Sequence, residues 1–216
     1  MREGVIKFNL EHINKGPVNQ DLISGINYWR RIFFENKLIG NNPVKYGGFD
    51  YGNLSQRLPP FDSTLNERKF IITGSQTSHF KKLTAENYAT VLKYYPETNR
   101  VVSEGPIQAS SESMTHGMVY DICDDVRFVF HSHSPEIWRN SQLMKIHTTL
   151  ANVEYGTPEM ANEVKRLFAE TNVKSERIFA MGGHEDGIVA FGKTGGEAWS
   201  IMSYYLQRAR RFLIYS

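Results

Sequence analysis

The chain contains the octapeptide Phe128-Val129-Phe130-His131-Ser132-His133-Ser134-Pro135, in which two histidines follow an apolar run. The apolar residues suit a buried strand, and Pro135 marks where regular pairing stops. Side chains of a strand alternate between its two faces, so His131 and His133 project from the same face. Two neutral imidazoles can bind one divalent ion, but zinc takes more ligands, so the pair predicts a third donor elsewhere. The alternative is two histidines that hydrogen-bond a loop at the end of the strand.

Length and composition indicate one ordinary globular domain. The 216 residues are 40% hydrophobic and 22% charged, which is enough to bury a real core. A net charge of +2 argues against a nucleic-acid protein. The single cysteine, Cys123, excludes an internal disulfide and a multi-cysteine zinc site, and we interpret it as a small apolar filler. With no apolar membrane span and no signal core at Met1–Gly4, we expect a cytoplasmic protein.

Further along the chain, helical and strand patterns alternate. Strands are predicted at Phe70–Ile72, in the histidine octapeptide, at Ile178–Met181 and at Ile188–Phe191. Helices are predicted over Asp21–Leu38, over Thr84–Tyr94, from Ser110-Ser111-Glu112 onward, after Gly156-Thr157-Pro158 and from Thr194 onward. Residues 5–19 are expected to form an arm or an edge strand, and Gly47–Arg57 an irregular glycine-rich turn. The pattern favours a mixed α/β layer fold.

The turn Gly182–Gly187 is the natural place for the missing ligand. His184 lies between glycines and acidic residues, where the backbone can bend and a side chain can point into a cleft. Glu185 or Asp186 could be the donor instead, or the turn could be a solvated acidic loop. His116 ranks only just below His184. The other histidines, His12, His79 and His147, have no supporting context and are interpreted as surface or packing residues.

Several motifs then follow one another in a recognisable order. These are Gly52-Asn53-Leu54-Ser55-Gln56-Arg57, Ile72-Thr73 with a polar turn, Ser110-Ser111-Glu112 followed by His116 and Tyr120, and His131-Ser132-His133. From about residue 20 to the carboxyl end, the chain resembles the class II aldolase/adducin superfamily. The resemblance implies an α/β, single-domain three-layer sandwich, with a central, mostly antiparallel sheet flanked by helices. It divides the chain into an N-terminal arm (1–19) and a class II aldolase/adducin-like domain (20–216).

The resemblance also implies a site. Zinc, or another divalent metal, would be bound by His131, His133 and His184. Glu112 takes the role of the acid/base, because a carboxylate beside a metal can exchange a proton with the substrate. Substrate or phosphate contacts fall on five residues: Asn53, Thr77, Ser78, Ser110 and Ser111. For each of these five, the alternative is ordinary capping or turn chemistry.

Three departures from the family pattern concern the exact reaction. The interval after His133 is shorter and lacks the tyrosine that a neighbouring aldolase subunit supplies as proton donor. The His184–Gly187 turn is longer than the usual His-Gly, and Ser78 stands where a glycine would admit a phosphate. Four tyrosines are candidates for the missing hydroxyl, and nothing selects one: Tyr155, Tyr204, Tyr205 and Tyr215.

The sequence therefore predicts a metal-dependent lyase of the aldolase type that acts on a small hydroxy-carbonyl compound, a sugar or sugar phosphate, through a zinc-stabilised enediolate. The alternatives are an epimerase, dehydratase or decarboxylase on the same scaffold, or a non-catalytic adducin-like binding module. The expected partners are a small carbohydrate substrate and further copies of this chain, with neither nucleic acid nor membrane. The resemblance suggests a cyclic tetramer with sites at subunit boundaries. The tail Phe212–Tyr215 would cover a neighbour or pack on its own subunit.

Overall fold

A large β-sheet forms the centre of the computed structural model, which describes residues 4–212. Ten strands lie within those residues: β1 (Asn9–Asn14), β2 (Gly40–Asn41), β3 (Asp50–Tyr51), β4 (Asn53–Arg57), β5 (Phe70–Thr73), β6 (Tyr88–Tyr95), β7 (Arg100–Gly105), β8 (Phe128–His133), β9 (Ile178–Ala180) and β10 (Gly187–Gly192). The helices of the same range are α1 (Gln20–Glu35), α2 (Ser113–Ile122), α3 (Pro135–Arg139), α4 (Pro158–Glu170), α5 (Val173–Glu176) and α6 (Gly195–Phe212).

The sheet is mostly antiparallel. Its strand order is β1-β7-β6-β5-β4-β8-β10-β9, and β2 pairs separately with β3. The edge strand β1 runs parallel to β7, whereas the other neighbours in the order are antiparallel. This places the histidine strand β8 in the interior of the sheet, between β4 and β10.

Helices cover both faces of the sheet. Successive strand residues point to opposite sides, so each face carries apolar side chains that a helix can bury. On one side, Val129 and Val189 join a hydrophobic cluster with residues of α2 and α4. On the other side, Phe130 and Ile188 join a second cluster with residues of α1 and α6. The predicted three-layer α/β sandwich is confirmed.

The prediction of an irregular turn over Gly47–Arg57 is wrong for its second half. Residues 53–57 form β4, which pairs with both β5 and β8. Its polar side chains have hydrogen-bond partners: the Ser55 hydroxyl lies 2.7 Å from the buried His116 Nδ1, and an Arg57 nitrogen donates to Phe61 O at 2.6 Å. Pairing on both sides therefore outweighs the poor strand propensity of Asn53 and Ser55.

The helix predicted over Thr84–Tyr94 is also wrong. Thr84 does cap a helical turn, together with Asn87, but this 3-10 turn covers only Ala85–Asn87. The chain then continues as β6, whose aromatic and β-branched residues suit a half-buried strand better than a helix. The helix predicted from Ser110 begins at Ser113 instead, with Glu112 at its N-cap.

The remaining elements lie close to their predicted positions. Helix α1 agrees with the prediction to within three residues, and α4 begins after the Thr157 cap as expected. Residues 9–14 form an edge strand, one of the two alternatives for this segment. The division at residue 20 stays a prediction, and most of the tail, residues 213–216, lies outside the described residues. Among residues 4–212, no helix has the length and apolar character needed to cross a bilayer.

Candidate active site

The two histidines of β8 face the layer formed by α2 and α4. His131 lies opposite Asn53 of β4, and His133 lies opposite Gly187 of β10. Together with His184, they offer ligand nitrogens that all lie within 4.8 Å of one another, and all three side chains are buried. The ring centroid of His184 is 4.9 Å from that of His131 and 4.8 Å from that of His133. The structure thus brings together the three predicted metal ligands.

Tight backbone packing fixes the turn that carries His184. A Cβ atom on Gly182 would lie 2.2 Å from Thr149 O, and one on Gly183 would lie 1.9 Å from Val153 O, so no larger residue fits at either position. The turn closes with a hydrogen bond of 2.9 Å from Gly187 N to His184 O. Gly182 and Gly183 therefore let the turn pack closely against the backbone of residues 149–153, and the turn holds the His184 ring beside the β8 histidines.

The donor set fits a divalent ion of the zinc type. Burial, with the positive charges of His184, His131 and Lys45, lowers the pKa of His133 well below its usual value. Its ring therefore keeps a lone pair at neutral pH, as metal binding requires. A cluster of three imidazole nitrogens is a donor set that zinc accepts with one position left open.

Glu112 lies beside this histidine cluster. Its Oε1 atom is 3.2 Å from His184 Nδ1, and both side chains are almost fully buried. Although Glu112 is the N-cap of α2, its side chain makes no capping hydrogen bond. Burial by itself raises the pKa of the Glu112 carboxyl, but the hydrogen bond with His184 and the charge of His131 outweigh this and lower the pKa to about 2. The group is a carboxylate at neutral pH.

A polar cavity adjoins the start of α2. Four of the predicted substrate-binding residues line it, namely Asn53, Ser78, Ser110 and Ser111, together with Asp50, Gln76 and Gly4. The Ser78 hydroxyl donates to Gly52 O at 2.6 Å. Thr77 is buried outside the lining, and its hydroxyl donates to Gly74 O at 2.8 Å. The hydroxyls of Thr77 and Ser78 are thus used within the protein.

The alternative donors for the metal lie elsewhere. His116 binds the Ser55 hydroxyl through Nδ1 at 2.7 Å, and the same hydroxyl is 2.7 Å from Tyr120 OH. Glu185 is exposed, and its carboxylate is 3.8 Å from Lys45 Nζ. Asp186 is buried, and its Oδ2 atom accepts hydrogen bonds from Lys45 and Tyr46.

The sequence analysis missed several neighbours of the cluster. The Tyr46 ring lies edge-on to His133 with the centroids 4.7 Å apart, and the Tyr51 ring lies 5.4 Å from it. Burial and the hydrogen bond to Asp186 raise the pKa of Tyr46, so its phenol stays protonated. Asp50 accepts from His79 Nδ1 at 2.7 Å. The only signal for Tyr46 is its place before Gly47-Gly48, which marks a sharp turn.

Among the tyrosines proposed as hydroxyl donors, Tyr155 lies nearest to the histidines. Its ring stacks on His184 with centroids 4.4 Å apart, and its hydroxyl accepts a hydrogen bond from Val5 N at 3.2 Å. Tyr204 is exposed on α6, where its ring packs on Tyr205, and Tyr215 lies outside the described residues. The amino-terminal segment thus touches the wall of the site.

Solved structures with the same fold include sugar-phosphate aldolases. An L-fuculose 1-phosphate aldolase aligns with a TM-score of 0.65 at 19% identity, over 92% of this chain and 87% of its own. The L-fuculose-1-phosphate aldolase of Thermus thermophilus aligns with a TM-score of 0.61 at 21% identity, over 91% and 95%. YgbL from Escherichia coli, provisionally assigned as an aldolase/epimerase/decarboxylase, aligns with a TM-score of 0.63 at 18% identity, over 91% and 90%.

No curated protein matches the chain in a sequence comparison. A family-level match is present and extensive: residues 46–213 match the family described as Class II Aldolase and Adducin N-terminal domain. That range includes the histidine cluster, Glu112 and the polar cavity except for Gly4. The chain therefore belongs to the class II aldolase/adducin family.

Proposed function

We propose that this chain is a metal-dependent lyase of the aldolase type that acts on a small hydroxy-carbonyl compound, a sugar or sugar phosphate. One observation carries the proposal: a buried carboxylate, Glu112, lies 3.2 Å from one of three clustered histidines. A module that only binds another protein has no physical need for this combination. We propose zinc as the metal, held by His131, His133 and His184, because imidazole nitrogens suit it.

When bound, such an ion supplies electrophilic stabilisation of the negative charge that develops on a substrate oxygen during enediolate formation. The protein itself supplies the proton acceptor. Burial opposes ionisation, but the hydrogen bond with His184 lowers the pKa of Glu112, so the group is ionised at neutral pH, and this is the form that can accept a proton from a bound substrate and return it afterwards. The three histidines and Glu112 are buried, and exclusion of water strengthens the electrostatic interactions among them.

Substrate contacts are assigned to the polar cavity at the start of α2. Asn53, Ser110 and Ser111 offer an amide and two hydroxyls there, and the positive end of the α2 dipole favours an anionic or hydroxylated group. Thr77 and Ser78 would support this cavity, because their hydroxyls donate to the backbone carbonyls of Gly74 and Gly52. We further propose a homotetramer in the cytoplasm with a role in carbohydrate metabolism.

Proton exchange at carbon tests the proposal without knowledge of the natural substrate. The zinc-loaded protein is incubated with dihydroxyacetone phosphate or glycolaldehyde in heavy water, and deuterium at the carbon next to the carbonyl is followed by NMR. Exchange by the wild type should fall about 10²–10⁴-fold in Glu112→Gln, because the amide cannot accept the proton. Glu185→Gln is the matched control, since it makes the same change at an exposed position next to His184.

The outcomes separate the alternatives. Exchange that is lost in Glu112→Gln and after chelation, but kept in Glu185→Gln, supports the enediolate chemistry. Equal exchange in Glu112→Gln and wild type would show that another group is the base. If the wild type introduced deuterium into none of a broad panel of carbonyl compounds, the result would favour the adducin-like binding module.

A further inference from the structure

Asp186 has an environment that differs sharply from that of its neighbour Glu185. Its side chain is fully buried, and Oδ2 accepts hydrogen bonds from the Lys45 ammonium and, at 2.6 Å, from the Tyr46 hydroxyl. A buried carboxylate is costly unless it is paired and hydrogen-bonded. The partners come from a segment that is remote in the sequence, so Asp186 joins two separate parts of the fold. We name Lys45, Tyr46 and Asp186 the clasp.

The segment that supplies Lys45 and Tyr46 has a strained backbone. Tyr46, Gly47 and Gly48 all have positive φ angles, of 55°, 68° and 78°. For a residue with a side chain, such as Tyr46, the left-handed region is unfavourable, because Cβ comes too close to the following carbonyl oxygen. A conformation of this kind persists only where the surrounding structure holds it. The hydrogen bond between Tyr46 and Asp186 is an interaction that can hold it.

Both ends of the clasp reach the candidate metal ligands. Asp186 follows His184 by two residues on the turn, and its backbone carbonyl accepts a hydrogen bond of 2.9 Å from Ser134 N, next to His133. The ring of Tyr46 packs edge-on against His133. Tyr46, Lys45 and His133 also line a cavity of about 410 Å³. The clasp therefore contacts His133 and belongs in part to the turn that carries His184.

The ion pair between Glu185 and Lys45 is an ordinary surface pair, and it serves as a comparison for Asp186. The Glu185 side chain is 63% exposed and lies 3.8 Å from the same Lys45 ammonium. Pairs of that kind contribute little, because water screens them. Asp186 is buried and hydrogen-bonded, so the loss of its charge would remove the carboxylate that Lys45 and Tyr46 share.

We propose that Asp186 is a positioning residue for the metal centre. By binding Lys45 and Tyr46, it fixes the long turn that carries His184 and holds the Tyr46 ring against His133. The clasp then orients two of the three metal ligands, His133 and His184. This inference rests on the proposed function, because it takes the histidine cluster as the metal site.

The test compares three single variants with the wild type. Asp186→Asn keeps the side-chain volume, and asparagine tolerates the positive φ of 63° at this position, so the change removes the charge and replaces one acceptor oxygen by an NH₂ group. Glu185→Gln makes the same chemical change at the neighbouring exposed position. Tyr46→Phe keeps the ring beside His133 and removes only the hydroxyl that binds Asp186.

Two measurements are made on each protein. Zinc affinity is measured at 25 °C by competition with a chromophoric chelator. Hydrogen–deuterium exchange of the metal-free protein follows the amides of residues 42–49. In Asp186→Asn, we expect zinc binding to weaken by about 10–100-fold, the size typical for the partners of metal ligands, and exchange in residues 42–49 to rise. Tyr46→Phe should show a smaller change in the same direction, and Glu185→Gln should match the wild type.

The two measurements distinguish failure of this inference from failure of the proposed function. Tight zinc binding by the wild type and equally tight binding by Asp186→Asn would overturn the role of Asp186 alone. A weakening of the same size in Glu185→Gln would also overturn it, because net charge would then be the cause. A wild type that binds no zinc would overturn the metal site itself. A purely structural role would raise exchange in residues 42–49 and leave zinc affinity at 25 °C unchanged.

Discussion

The Oε1 atom of Glu112 lies 3.2 Å from the Nδ1 atom of His184, although the two residues belong to distant parts of the sequence. Glu112 is the N-cap of α2, whereas His184 lies on the turn between β9 and β10. A carboxylate that binds one nitrogen of an imidazole fixes the ring and directs the other nitrogen towards a metal. In the proposed function, the same carboxylate would orient a metal ligand and exchange a proton with the substrate.

The first prediction concerns metal content. Wild-type protein should hold about one divalent ion per chain, most readily zinc, as measured by inductively coupled plasma mass spectrometry. His133→Ala and His184→Ala should each lose the ion, because two imidazoles bind it far more weakly than three. His147→Ala is the control, since that ring is partly exposed and pairs with Glu176 at 3.5 Å. If His184→Ala kept full metal occupancy, the third metal ligand would have to be a residue other than His184.

The second prediction concerns stability in acid. Burial and the charge of His131 lower the pKa of His116 from 6.5 to about 3. Between these values, the unfolded chain binds a proton at His116 that the folded chain does not. The free energy of unfolding should therefore fall as the pH falls, by up to about 1.4 kcal/mol per pH unit for this residue.

Urea unfolding of the metal-free protein at pH 7, 6 and 5 measures this slope. His116→Gln should give a shallower slope, because glutamine does not titrate. A residual slope is expected from His133, whose pKa is lowered in the same direction and which the variant keeps. An unchanged slope in His116→Gln would show that His116 makes no contribution to it.

The third prediction concerns Gly52, the residue before β4. Its φ angle is +77°, and an added Cβ would lie 2.5 Å from a methyl carbon of Ile39 and 3.1 Å from His131 O. Gly52→Ala should therefore destabilise the protein by about 1–3 kcal/mol in urea unfolding. Gly16→Ala is the matched control, because nothing lies within 4 Å of its added Cβ. Similar losses in both variants would contradict the packing argument.

The fourth prediction concerns assembly. If the proposed tetramer is correct, light scattering at micromolar concentration should give about four times the 24.8 kDa chain mass. The mass should not depend on bound metal if the interface lies outside the histidine cluster. A monomer at that concentration would count decisively against the tetramer.

Elements with a local signal could be predicted from the sequence. The histidine strand was recognisable because its apolar run, its alternation and the following Pro135 all agree. The turn around His184 was recognisable because glycines flank a histidine and a strand follows. Helices α1 and α4 combine a cap with a regular apolar face, and each was predicted near its observed bounds.

Elements that depend on distant partners could not be predicted. Strand β4 is polar in sequence, and its stability comes from pairing with β5 and β8 and from the contact of Ser55 with His116. Strand β6 follows a genuine helical cap at Thr84, and the cap carries no information on where the turn ends. The partners of Asp186 lie on a remote loop, so its sequence neighbours suggested only an acidic turn.

The contact between the amino-terminal segment and the candidate site affects how the protein should be purified. Gly4 lines the polar cavity, and Val5 N donates to the hydroxyl of Tyr155, whose ring stacks on His184. A polyhistidine tag fused a few residues ahead of Gly4 would bring extra imidazoles close to the centre whose metal is to be counted. It would also carry nickel or cobalt from the affinity column to that centre. Metal analysis and kinetics therefore call for a cleavable tag that is removed completely, or for purification without a tag.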